Sequence, residues 1–147
     1  ILDAHFYCLG SFMKSLTQLL FILTALLPTS LFAHIHVEQA QMFSAKAGEP
    51  SAIFMNIHNT GNEDVSLALV QSDIRADIVL HGTQHGKMIE VTGINLPAHQ
   101  MTALKRGGLH IMVFNVEQDL NVGDSFPLRL FFDNGEIMHI EAKIIQY

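Results

Sequence analysis

The residues of this chain best suited to chemistry are histidines and methionines, and two of them share one short apolar run. His110 and Met112 stand two positions apart within residues 109–115. If this run is a strand, both side chains leave the same face, while Ile111 and Val113 point into a core. One face of the strand would therefore offer an imidazole nitrogen and a thioether sulfur to a metal ion.

A second histidine and methionine pair precedes the first. His81 and Met88 are separated by six residues, and a tight loop centred on Gln84 and His85 would place them directly opposite each other on adjacent antiparallel strands. Two imidazoles and two thioethers, with no carboxylate and no thiolate, suit Cu(I) better than zinc, calcium or magnesium. The sequence therefore predicts a Cu(I) site formed by both pairs, with His85 at the loop tip as a candidate auxiliary ligand.

Several short motifs around these four residues resemble one protein family. They are Ala52–Ile57, Leu80-His81, Leu96-Pro97-Ala98, Gly107–Met112 and Gly123-Asp124. From Ser51 to Ile144 the chain is similar to the PCuAC family of periplasmic copper chaperones, whose motif is His, ten residues, Met, twenty-one residues and His-x-Met. Twenty-one residues also separate Met88 from His110 here, but only six separate His81 from Met88. An even-numbered deletion of four keeps both ligands on the same face of a hairpin.

The resemblance implies a fold and a function. The expected fold is a cupredoxin-like sandwich with the copper ligands near one end. The expected function is an exported, soluble chaperone that binds Cu(I) and delivers it to an acceptor, either a subunit of cytochrome c oxidase that carries its copper centre or a second copper chaperone. We expect such a protein to be a periplasmic monomer.

The composition agrees with a metal-binding protein and excludes several other classes. Among 147 residues there are 8 Lys and Arg against 14 Asp and Glu, a net charge of −6 that argues against nucleic-acid binding. Nine histidines and seven methionines accompany a single cysteine, Cys8. Cys8 lies in the segment that we expect to be removed on export, which leaves no thiolate in the mature domain, so a blue-copper electron carrier and a thiol-disulfide enzyme are not expected. No catalytic constellation is present in the sequence, and we predict that the protein is not an enzyme.

The first 33 residues are typical of an export signal rather than of a folded domain. After residues 1–12, Met13-Lys14 begins a secretory signal with the apolar run 19–27. This run is shorter than the ~20 residues that a membrane span needs. We expect cleavage after Ala33, no stable membrane insertion afterwards, and a copper-binding domain over residues 34–147.

Alternating apolar residues and turn signals indicate an all-β domain. About nine short strands are expected between His34 and Gln146, with turns at 47–50, 59–64, 95–99 and 133–136 and a loop or short helical turn at 117–124. This pattern favours an antiparallel Greek-key β-sandwich.

The start of the predicted mature domain suggests a second copper site. If Ala33 is the last residue removed, His34-Ile35-His36 provides a free amine, two amide nitrogens and an imidazole for planar binding of Cu(II). Two other interpretations remain open for these residues. They are exposed histidines at a frayed terminus, or they form a histidine brace in which His34 serves a copper enzyme.

Overall fold

The computed structural model describes residues 34–147, so the predicted signal peptide and its cleavage site lie outside the described residues. Ten strands make up this range: β1 (Ile35–Phe43), β2 (Ser51–Asn59), β3 (Val65–Gln71), β4 (Asp77–Gln84), β5 (Lys87–Glu90), β6 (Ile94–Leu96), β7 (Gln100–Leu104), β8 (His110–Phe114), β9 (Ser125–Phe132) and β10 (Ile137–Ile145). Residues 34–147 contain no helix, so none that could cross a membrane is found there. The predicted all-β fold is confirmed.

The strands pair in the order β5-β4-β8-β2-β1-β10-β9-β3-β6, and β7 also pairs with β2. Neighbours such as β8 and β2 are far apart in the chain, as Greek-key connections require. All pairings are antiparallel except that of β1 with β10. β1 therefore lies between β2 and β10 and joins the two halves of the strand order. A register shift between Glu38 and Gln41 marks a β-bulge in β1, where Gln39 has a φ of 52°.

The strands share one apolar core, because inward-facing side chains alternate with outward-facing ones along each strand. In β2, Ile53, Met55 and Ile57 are buried and the residues between them are partly exposed. The same alternation buries Ile111 and Val113 of β8, as predicted. The even-numbered positions of β2 and β8 consequently share the outer face of the sheet, where any ligand-binding side chain on these strands must lie.

The structure differs from the predicted strand list at one place. Ile94–Leu96 forms a short strand, β6, paired with Val65–Leu67 of β3, although its proximity to Pro97 indicated a turn. This strand depends on a long-range partner that local sequence does not specify. Of the two alternatives predicted for 117–124, the structure has the loop, which is held by an isolated bridge between Ala45 and Leu120.

Candidate metal centre

The two histidines predicted to bind metal are directly paired across two strands. His81 of β4 and His110 of β8 are Cα partners in an antiparallel ladder. Their ring centroids lie 5.4 Å apart with an interplanar angle of 79°. Directly opposed residues project from the same face of a sheet, so two imidazoles share one site although 28 residues separate them in the chain.

His110 is held in one orientation by its own loop. The side chain is 5% exposed, and Nδ1 lies 2.8 Å from the carbonyl oxygen of Gly108. A carbonyl oxygen can only accept, so Nδ1 donates the hydrogen bond and the neutral ring keeps its lone pair on Nε2. A ring nitrogen with an unshared pair and a fixed partner behind it is the arrangement typical of metal-binding histidines.

The hairpin that carries Met88 turns one residue later than predicted. Its two turn residues are His85 and Gly86, at φ 50° and 75°, rather than Gln84 and His85. Positive φ at both positions is the geometry of a type I′ turn, which favours glycine at the second position. The predicted direct pairing of His81 with Met88 is therefore wrong.

The observed register still leaves Met88 on the face that was predicted. His81 pairs with Glu90, and Met88 pairs with Thr83. Because Thr83 is two residues from His81, its partner Met88 projects on the same side as the His81 imidazole. The Thr83 hydroxyl lies 3.9 Å from the Met88 sulfur and 3.2 Å from the carbonyl oxygen of Gly107, so the hairpin rests on the loop before β8.

A cavity of about 280 Å³ joins both methionines to His110. Its lining comprises Phe43, Pro50, Ser51, Ala52, Phe54, Met88, Arg106, Gly107, His110, Met112 and Tyr147. Met112 lies beside Ala52 of β2 and Val79 of β4, and Met88 is 50% exposed at the rim. We call the four predicted copper ligands, His81, Met88, His110 and Met112, the copper cluster.

Aromatic rings form the wall of this cavity away from the hairpin. The Arg106 guanidinium lies over the rings of Phe43 and Tyr147, at 5.4 and 5.1 Å from their centroids. Phe54 contributes a third ring, 6.2 Å from that of His110. One side of the cavity therefore presents aromatic carbon together with the Arg106 guanidinium.

The environment of His81 keeps its imidazole neutral. The pKa of His81 is lowered below its usual value of 6.5, mainly by partial burial and to a smaller extent by repulsion from His110, while Glu90 opposes this shift. A neutral imidazole is the form that binds a metal ion, so both effects keep the donor available below neutral pH.

The remaining predicted metal ligands lie away from this cavity. His85 occupies the hairpin tip and is not among the residues lining it. His34 and His36 lie where β1 pairs with the far end of β2, with Ile35 opposite Asn59, whereas Met112 pairs with Ala52. Asn59 is seven positions after Ala52 along the extended strand, a distance of roughly 24 Å.

Within residues 34–147, no three His, Cys, Asp or Glu side chains are gathered where they could hold a metal ion. The copper cluster is consistent with this observation because half of its donors are thioethers. A second outward row, in which His58 pairs with both His36 and Met101, was not predicted from the sequence. Only the pairing of three distant strands reveals that row.

Comparison with known proteins shows which family this chain belongs to. The sequence profile described as "Putative lipoprotein LpqE-like" matches residues 33–144. An uncharacterized protein of Rickettsia prowazekii, RP573, is 30% identical over 99 residues, which cover 64% of this chain. The chain spans 55% of the length of that relative.

Solved structures with the same fold are PCuAC domains. The copper-bound PCuAC domain from PmoF2 superposes with a TM-score of 0.70 at 19% identity, covering 78% of this chain and 95% of that domain. The apo PCuAC domain from PmoF1 gives 0.70 at 24% identity, with 78% and 96% covered. The Cu(I) form of DR1885 from Deinococcus radiodurans gives 0.61 at 20% identity, with 75% and 78% covered. The predicted cupredoxin-like fold is thereby confirmed.

Proposed function

The chain belongs to the LpqE-like family, a PCuAC-type family, and from that premise we propose that it is a copper chaperone. It holds one Cu(I) through two imidazoles and two thioethers, those of His81, Met88, His110 and Met112. The main support for this proposal is that His81 pairs directly with His110, beside a cavity lined by Met88 and Met112. Related folds described as copper-bound and Cu(I)-bound support it.

The uneven exposure of the donors suits transfer rather than permanent storage. His110 is buried and fixed by Gly108, whereas Met88 is half exposed on a four-residue strand at the edge of the sheet. An acceptor can therefore replace the Met88 sulfur first while His110 and Met112 still hold the ion. Stepwise replacement of ligands lets a selectively bound ion leave without passing through water.

We also propose that the domain acts outside the cytoplasm. Residues 13–33 have the pattern typical of an export signal, and the family description refers to a lipoprotein. The proposed mature domain 34–147 contains no cysteine, and we propose that it acts as a soluble protein after removal of the signal. Thioethers and imidazoles also form no disulfides in an oxidising compartment, unlike a thiolate site.

The acceptor that we propose is the copper centre of cytochrome c oxidase or a second chaperone that serves it. The test mixes the Cu(I)-loaded protein with the apo form of the oxidase copper domain from the same organism and follows the spectrum of the assembled centre. Copper should move without appearing in a competing chelator present in solution. Transfer that occurs only at the rate of release to the chelator would contradict a direct handover.

A further inference from the structure

Three outward side chains form a row across strands β1, β2 and β7, at the end of the sheet opposite to the copper cluster. His36 is the Cα partner of His58, and His58 is the Cα partner of Met101. Their inward neighbours Ile35 and Ile57 are buried, which fixes the row on the outer face. We call His36, His58 and Met101 the distal row.

The ladder brings the His58 and Met101 side chains especially close. The Thr60 amide donates a hydrogen bond to the His34 carbonyl oxygen at 2.8 Å, so His34 and Thr60 are a hydrogen-bonded pair. In an antiparallel ladder every second pair is hydrogen-bonded, so His36 and His58 are the next such pair. The main-chain groups of His58 therefore point towards β1. On its other side His58 faces Met101 as a pair without hydrogen bonds, in which Cα atoms lie about 4.5 Å apart and side chains are closest.

His58 has a nitrogen without a hydrogen-bond partner. Its Nε2 is shielded from solvent and unpaired, and the nearest acidic oxygen, Oε2 of Glu38, lies 3.5 Å away without forming a hydrogen bond. A shielded polar atom without a partner is costly unless something absent from the structure satisfies it. The Glu38 carboxylate makes a cation more favourable than an anion at this position.

A cavity lies beside His58 and Met101, on the β7 side of the row. A cavity of about 240 Å³ is lined by His58, Asn59, Thr60, His99, Gln100 and Met101. Met101 is 52% exposed, so its thioether can reorient without disturbing the core. His36 is also exposed and can turn towards His58 across the strand pair.

We propose that the distal row is a second Cu(I) site, with the His36 and His58 imidazoles and the Met101 thioether as ligands. These are the donor types of the copper cluster, which suit a soft monovalent ion. His58 is six positions after Ala52 along the extended strand, so the two sites lie about 20 Å apart and each fills independently. The proposal rests on the row itself and not on the proposed chaperone function.

The distal row competes with the predicted terminal chelate of Cu(II). One His36 imidazole cannot serve both sites. The chelate also needs the His36 amide nitrogen, which the alternation of the ladder assigns to a hydrogen bond with His58. Binding at the distal row leaves this ladder intact, whereas the chelate would have to open it.

The test uses the full chain with ¹³C-labelled methionine methyl groups, titrated anaerobically with Cu(I) and, in parallel, with Ag(I) as a redox-inert substitute. The first equivalent should shift the Met88 and Met112 signals, and the second should shift Met101. The buried Met42 and Met55 serve as internal controls that stay in place. A Met101 signal that does not move through two equivalents overturns the proposal, even if two ions bind.

Variants then assign the second ion. In native mass spectrometry with excess bicinchoninate as competitor, the wild type should retain two copper ions and Met101→Leu only one. The matched control His139→Ala removes a histidine from β10 and should retain two. Equal copper counts in Met101→Leu and the wild type overturn the distal site. Absence of Met88 and Met112 shifts at the first equivalent would instead contradict the proposed function and leave the Met101 result to be judged separately.

Discussion

The copper cluster and the distal row use the same kinds of donor on the same face of one sheet, but they differ in how firmly the donors are held. In the copper cluster, His110 is buried, its Nδ1 is bound to Gly108, and aromatic rings close one side of the cavity. In the distal row, His36 and Met101 are exposed. The donor types are the same in both regions and favour the same metal, whereas the groups that hold the donors in place differ and set how tightly the metal binds.

The largest expected effect separates the two regions through their histidines. His110→Ala should weaken binding of the first Cu(I) by at least ~100-fold, because even partners of metal ligands change affinity by about 10- to 100-fold when removed. His36→Ala should leave the first equivalent unchanged. Competition with bicinchoninate measures both constants, and nuclear magnetic resonance spectra check that each variant is folded. Full affinity in His110→Ala would show that the copper cluster is not the first site.

The methionines provide a smaller and cleaner comparison. Met112→Leu keeps volume and apolarity while removing the soft donor, so Cu(I) affinity should fall about tenfold, or roughly 1.4 kcal/mol. The free energy of unfolding without metal should change by less than about 1.5 kcal/mol, as measured in urea. Met101→Leu is the matched control, with an unchanged first equivalent. A similar loss of first-site affinity in both variants would mean that neither sulfur belongs specifically to the copper cluster.

Acid should act on the copper cluster in two ways. Cu(I) should be retained somewhat below pH 6.5, since the lowered pKa of His81 keeps its imidazole neutral there, and should be released once protonation overtakes it. In the metal-free protein, His81 becomes protonated at a higher pH in the unfolded chain than in the folded one. Stability should therefore fall as pH decreases from 6.5 towards the lowered pKa, and His81 should have no such effect above 6.5.

Two measurements check these expectations. Copper retention after dialysis across the acid range tests the first, and retention that is flat down to about pH 4 would argue against histidine ligands. Urea unfolding of the metal-free wild type and His81→Gln at pH 7.5 and 5.5 tests the second. The wild type should lose more stability between these two pH values than the variant.

The smallest effect concerns the hairpin that positions Met88. Gly86→Ala forces a side chain onto φ 75° and should lower stability by up to roughly 1 kcal/mol, while weakening Cu(I) binding a few-fold as Met88 shifts. Gly48→Ala is a matched control, because Gly48 has φ 83° and equally open space around it but lies outside the hairpin. It should show the stability loss alone. Equal copper affinity in both variants would mean that the hairpin geometry does not matter for binding.

Local sequence was sufficient for the parts of the site that depend on strand alternation. His110 and Met112 share an outer face, with Ile111 and Val113 inside, because the side-chain period of a strand is two. The same period explains why Met88 kept its face when the turn moved by one residue. A shift in the turn centre of one residue moves the cross-strand partner by two, so the predicted partner was wrong but the predicted face was not.

The parts that sequence did not provide are set by long-range pairing. His36, His58 and Met101 belong to three strands, and nothing in the local sequence relates them to one another until β1, β2 and β7 are placed side by side. Strand β6 was missed for the same reason, because its three residues are held by β3. Pairing between distant strands depends on packing and register that no local pattern encodes.

The central claim, one Cu(I) held by two imidazoles and two thioethers, is tested most directly by X-ray absorption of the full chain at a single equivalent of Cu(I). At this loading the copper cluster should be filled before the distal row. We predict nitrogen and sulfur scatterers around copper in equal number, and loss of the sulfur contribution in the double variant Met88→Leu/Met112→Leu. A spectrum of the wild type with nitrogen or oxygen scatterers alone would contradict it.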